Sequence, residues 1–114
     1  MIAVIFEVIP FIGERHRYLD LAGGLRARLE EIDGFISVER FESLTTRGKL
    51  LSLSFWRDEE AVRRWRETPD HRAAQGAGRG GVFADYRLRV AHVLRDYGLT
   101  ERAEAPEDSR ALLR

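Results

Sequence analysis

Leu51 to Arg66 reads LSLSFWRDEEAVRRWR, and its two halves keep different periods. In the first half Leu51, Leu53 and Phe55 alternate with Ser52, Ser54 and Trp56, the two-residue period of a strand predicted from Lys49 to Trp56. At Asp58 the pattern breaks. A carboxylate there can accept from the free N–H groups of a new helix, and Glu59 and Glu60 fall in the first turn, where the helix dipole favours negative charge. Ala61, Val62 and Trp65 then share one face at helical spacing, with Arg63, Arg64 and Arg66 opposite. A strand leading directly into an amphipathic helix is one unit of a layered α/β architecture.

The flanking segments extend that unit. Phe35 to Leu44 reads as another strand, joined to the one from Lys49 by Thr45-Thr46-Arg47-Gly48, a loop with the length and glycine of a hairpin. Ile2 to Ile9 is rich in β-branched and aromatic residues and stops at Pro10; both of its faces are largely apolar, so it is predicted as a central strand. Tyr18, Leu21, Ala22, Leu25, Leu29 and Ile32 recur at helical spacing, and Gly34 supplies the stop. Gly23 and Gly24 sit inside that helix, each at a cost of about 1 kcal/mol relative to alanine. Close packing of the helix on the sheet is the plainer reason for them, room for a ligand the functional one. Thr68 and Pro69 restart a helix as cap and first residue, and HRAAQGAGRGG is expected to lose regular structure in its glycines. Val82 to Leu94 alternates as a last strand.

The order is therefore β-α-β-β-α-β, an α+β ferredoxin-like domain over residues 1–98, followed by a polar tail over 99–114 that is expected to be mobile or to lie on a neighbour. This order gives one antiparallel sheet with the helices on one face. Strands one and three keep apolar residues on the other face, whichever face that is. Covering it with a second sheet contributes about 25 cal/mol per Å² of apolar area, so a homodimer is the expected assembly.

Composition narrows the function classes. The 114 residues hold 19 basic and 19 acidic side chains, and a zero balance gives no electrostatic reason to expect nucleic acid or a membrane surface as partner. The absence of cysteine removes thiolate catalysis and cysteine-based zinc sites. The apolar start MIAVIFEVIPF lacks a basic leader and a small-residue cleavage site, so a cytoplasmic protein is expected.

FEVIP, GFISVERFES, LSLSFWRDEEAVRRWR, HRAAQGAGR and FADYRLRVAHVLRDYG, in this order from about Ile2 to Gly98, resemble the antibiotic biosynthesis monooxygenase (ABM) family, and within it small stand-alone bacterial proteins. The resemblance implies a dimeric α/β barrel with a pocket in each subunit between sheet and helices. It further implies an oxidoreductase that works without a cofactor on a small aromatic or polyketide-like substrate, or in another branch a haem-degrading enzyme. The family's active branches use an asparagine with a tryptophan and a histidine, tyrosine or arginine. Trp65, His71, Tyr86 and Arg87 match; the strand-one positions are Phe6, Glu7 and Val8, and the chain contains no asparagine.

The catalytic candidates are accordingly His71, Trp65, Tyr86 and Arg79, with Phe55, Trp65, Leu25 and Phe6 lining a pocket for a small hydrophobic or aromatic ligand. A dipole-lowered His71 could act as a base; as a plain turn histidine it would do neither this nor bind iron. Trp65 could stack a flat ligand or simply fill the core. Arg79 could clamp an anion. GAGRGG imitates a nucleotide loop, but its glycines end a helix instead of opening one. No resident cofactor is expected, haem on His71 being the alternative. Glu7 and Arg40 are read as partners, either within the chain or across the dimer. His16 is expected in solvent, and His92 in a core or interface.

Overall fold

The protein, in a computed structural model that describes residues 1–110 (and only the backbone at 78 and 79), has the order β1 (Ile2–Pro10), α1 (Arg15–Glu30), β2 (Phe35–Glu42), β3 (Leu50–Trp56), α2 (Glu59–Arg66), α3 (Pro69–Ala77), β4 (Phe83–His92) and a short α4 (Glu107–Arg110). The sheet is four-stranded and wholly antiparallel, in the order β2-β3-β1-β4. This is the ferredoxin-like α+β arrangement, and β1 is central as its two apolar faces require.

Register decides which side chains meet the helices. Val4 pairs with Ser54 and Val90, and Phe6 with Ser52 and Leu88, while Val38 and Arg40 join these two levels from β2. Trp56 is 1% exposed and packs with Ile2, Leu29, Ala61, Val62 and Trp65 at one end of the sheet; Val8 and Leu50 pack with Tyr18, Ala22 and Val82 at the other. The core is thus two clusters rather than one. On the opposite face lie Ile5, Leu51, Leu53 and Phe55, half-buried, and Phe41, which is exposed. Glu7 stands among them, ion-paired to Lys49 and Arg89. Within the chain Glu7 and Arg40 are therefore not partners: Glu7 is level with Leu51 and Phe41, whereas Arg40 lies one residue over on the helix-covered face.

The local signals act as expected at α2 and differ elsewhere. Asp58 accepts from Ala61 N–H at 2.9 Å and begins α2. Gly34 has φ +94°, and a Cβ there would stand 2.7 Å from that of Ala61, so this position admits glycine for two separate reasons. The segment after His71 stays helical to Ala77 and continues as an irregular turn over Gly78–Val82, kinked at Gly81. Intrahelical bonding outlasts the first glycine because the break needs the positive φ that only Gly81 takes up. His16 is exposed beside Asp20; His92 is exposed as well, at the open end of β4. In the segment beyond β4, Ala105 is buried and Arg102 stacks on the Tyr97 ring at 4.9 Å.

Gly23 and Gly24 overturn the packing explanation. Both are exposed, and an added Cβ would meet nothing within 4 Å. They face neither the sheet nor the cavity, and nothing in the structure requires glycine there. Gly23→Ala and Gly24→Ala are each expected to stabilise the fold by about 1 kcal/mol, read as a higher urea midpoint at unchanged slope; a lower midpoint would refute the assignment.

Candidate active site

Between the two core clusters the sheet and helices do not meet. A cavity of about 290 Å³ occupies the levels of Val4 and Phe6, under α1, α2 and α3. Its origin is in β3, where Ser52 and Ser54 stand at positions that a filled core would give to large apolar residues. Their place between Leu50 and Trp56 on one face of β3 is the sequence signal for the void. The Ser54 hydroxyl accepts from the Trp56 indole N–H at 2.9 Å, which settles the polar group of a fully buried tryptophan.

The break between α2 and α3 brings Trp65 and His71 together. Thr68 Oγ1 donates to the Trp65 carbonyl at 2.8 Å and accepts from His71 N–H at 3.2 Å, so one hydroxyl ends one helix and caps the next. The two rings meet edge to face, centroids 5.4 Å apart. In an unbroken helix, residues six apart point well away from each other at 100° per residue; the turn at Thr68-Pro69 removes that separation. His71 is partly buried and its Nδ1 has no hydrogen-bond partner. Burial pushes its pKa below the ordinary value and Arg66 and Arg72 push the same way, while the polar backbone of Arg66, without a well-formed hydrogen bond to the ring, opposes them. At neutral pH it is an uncharged imidazole with a free position, the form that accepts a proton.

Phe6, Leu25 and Tyr86 also line the cavity. Tyr86 is 45% exposed, with its ring centroid 5.6 Å from that of Phe6, and Tyr18 and Phe83 complete an aromatic group at that end. Phe55 does not line it. That side chain points from the opposite face of β3, paired with Ala3, because the sheet presents the serine parity to the helices. The Arg79 side chain lies outside the described residues. The residue that strand reading missed is Arg40, which lines the cavity with its Nε buried and unpaired. Among the described residues no group of three His, Asp or Glu could hold a metal ion, and no helix is long and apolar enough to cross a membrane.

A small apolar cavity with a neutral histidine suits several chemistries, and sequence comparison chooses among families. The antibiotic biosynthesis monooxygenase family model matches residues 1–77. The chain belongs to that family. Jasmonate monooxygenase ABM of Pyricularia oryzae is 52% identical over 93 residues, covering 82% of this chain and 43% of that protein. The uncharacterized YqjZ of Bacillus subtilis is 36% identical over 60 residues, 53% of this chain and 51% of its own. The chain spans about half the length of these curated relatives. Rv0793 of Mycobacterium tuberculosis superposes with a TM-score of 0.76 at 20% identity, covering 85% of this chain and 98% of its own, which attests the shared fold. A protein of Deinococcus radiodurans does so at 0.77 and 14%, over 86% and 97%.

Proposed function

We propose that this ABM-family protein is a cofactor-independent monooxygenase acting on a small aromatic or polyketide-like substrate in the cavity between sheet and helices. The observation that carries the reading is the uncharged His71 held edge-on to Trp65 at an apolar cavity. His71 takes a proton from an activated C–H or phenolic O–H. The resulting carbanion passes one electron to O₂, and the radical and superoxide recombine to a C–O bond as a peroxide. Loss of water breaks the O–O bond and the second C–H bond of that carbon to leave a carbonyl; in balance CH₂ + O₂ gives C=O + H₂O, with all four electrons coming from the substrate. Trp65 and Tyr86 hold a flat ring by stacking, Phe6 and Leu25 supply apolar walls, and Arg79 is kept as a candidate anion contact. The protein's contribution is orientation and proton abstraction.

The test is substrate-dependent oxygen uptake by purified, chelator-treated protein over a panel of phenols, quinols and jasmonate, the last because a relative's name carries it. Uptake that persists without metal is the expected result; none with any substrate would sink the reading.

A second reading, ligand binding without turnover, is favoured by the unpaired His71 Nδ1, which is free to ligate haem iron. The size is against haem itself: about 290 Å³ lies at the bottom of the range of about 300–1,000 Å³ for ligand pockets and suits one or two rings rather than a tetrapyrrole. A haem titration showing no Soret shift on the wild type, or one equal in His71→Ala, removes that reading.

In the same proposal the protein is a cytoplasmic homodimer. Residues 1–98 carry the site and 99–114 form an appended tail. The apolar side of the sheet turned away from the cavity, where Ile5, Leu51, Leu53 and Phe55 are half-buried and Phe41 is exposed, supports pairing of two sheets. Sedimentation at micromolar concentration should give twice the chain mass, and a monomer would refute it.

A further inference from the structure

The cavity walls carry an imbalance of charge that an oxygenase reading alone leaves unused. Among the described residues, two arginines and a histidine line the cavity, and no Asp or Glu does. Arg66 is exposed and meets water. Arg40 is different. It rises from β2 beneath α1, partly buried, and among the described residues it forms no ion pair, although fourteen such pairs occur elsewhere. Its Nη2 reaches the Ala22 carbonyl only at 3.5 Å, and its Nε is buried with no acceptor. A guanidinium partly removed from water in this way gains from a compensating charge. Among the described residues it has none.

Two further donors stand beside it. Ser52 is the cross-strand partner of Arg40 and shares its wall of the cavity. Tyr18 is buried above them on α1. Burial pushes the Tyr18 phenol above its usual range while the Arg40 guanidinium pulls it back, so at neutral pH it keeps its proton and can donate.

We infer that the cavity takes an anionic ligand, a small apolar body bearing a carboxylate, and that Arg40 is its anchor, assisted by Tyr18 and Ser52. The inference rests on the cavity being the substrate site of the proposed monooxygenase, and it names the substrate class. An Arg–carboxylate pair at a partly desolvated site combines charge with directed hydrogen bonds. It would hold one end of the molecule at Arg40 while Trp65 and His71 address the ring.

Equilibrium binding tests this without any turnover. Naphthylacetate and its methyl ester differ in charge and hardly in shape, and both can be followed by isothermal titration or by quenching of tryptophan fluorescence. The wild type should bind the acid at least about tenfold more tightly than the ester, the equivalent of one charge-assisted contact. Arg40→Gln should erase that preference and leave ester affinity within about twofold, while Arg66→Gln leaves it intact. Should Arg40→Gln fail to fold, Arg40→Lys takes its place and should reduce the preference several-fold, because a point charge lacks the guanidinium fork.

Equal affinity of the wild type for acid and ester, binding of neither, loss of the preference in Arg66→Gln, or an undiminished preference in Arg40→Lys each overturn the inference. The two readings fail separately. Tight acid binding with no oxygen uptake removes the oxygenase and keeps the anchor; oxygen uptake that treats acid and ester alike does the reverse.

Discussion

Replacing His71 with alanine is expected to lower kcat/KM for oxygen uptake by about 100- to 10,000-fold, the usual contribution of a positioned general base, with substrate affinity changed far less. The residue is suited to this role by three features: a capped position at the start of α3, a ring fixed against Trp65, and burial that keeps it uncharged. The pH profile follows from the last. Because the folded-state pKa lies below the ordinary value of about 6.5, the base stays available through neutral pH, and kcat/KM should fall only on the acid side of that value. His71→Ala should abolish this limb together with the rate. Stability obeys the same sign: the unfolded chain takes up the His71 proton before the folded chain does, so the contribution is complete above the ordinary pKa and declines as pH falls toward the lowered one. A variant that keeps the wild-type rate, or a profile whose limb survives the substitution, would remove His71 from the mechanism.

The second large effect concerns the frame around the cavity. Trp56→Ala should cost about 3–5 kcal/mol, a large share of the roughly 5–15 kcal/mol that holds such a domain together, and lower Tm by more than about 10 °C. Trp56 is 1% exposed, meets Phe35 edge to face at 5.2 Å, and closes one end of the void that Ser54 leaves open. Truncation would extend an existing cavity instead of making an isolated one, so neighbours have little to relax onto. It would also leave the Ser54 hydroxyl without its indole donor. Trp56→Phe should recover most of the packing but not the hydrogen bond, placing it between the two. Calorimetry or urea unfolding decides; a loss below about 1 kcal/mol would mean that the tryptophan is not structural.

The segment Leu51–Arg66 made the fold legible because each local signal in it has a single outcome: alternation ends where Asp58 caps, and the apolar stripe of α2 lands on the strand it follows. The site was legible only in part. Trp65 and His71 could be named from their residue types and the family resemblance, but their contact depends on the Thr68-Pro69 turn, whose direction no spacing rule supplies. Phe55 and Arg40 were misjudged for one shared reason. With apolar residues on both faces of β1 and β3, sequence does not say which parity the helices cover, and that choice moves Phe55 out of the cavity and Arg40 into it. Gly23 and Gly24 were read as packing residues because helical glycines usually have a close neighbour; here that side of α1 turns to solvent.

The flank of the cavity along β4 carries a further consequence. Tyr86, Leu88 and Val90 line it and are nonetheless 45%, 48% and 46% exposed, so a ligand resting there keeps one side toward water. For an oxygenase, that opening sets coupling efficiency. A reduced oxygen species formed beside an unsealed wall partitions between attack on the substrate and escape as peroxide, and the partition depends on how much of the wall the substrate itself covers. Substrates bulky enough to lie across Leu88 and Val90 should give product and oxygen consumption in equal amounts, while small ones should waste oxygen as peroxide, making a peroxide assay a ruler for the size of the natural substrate.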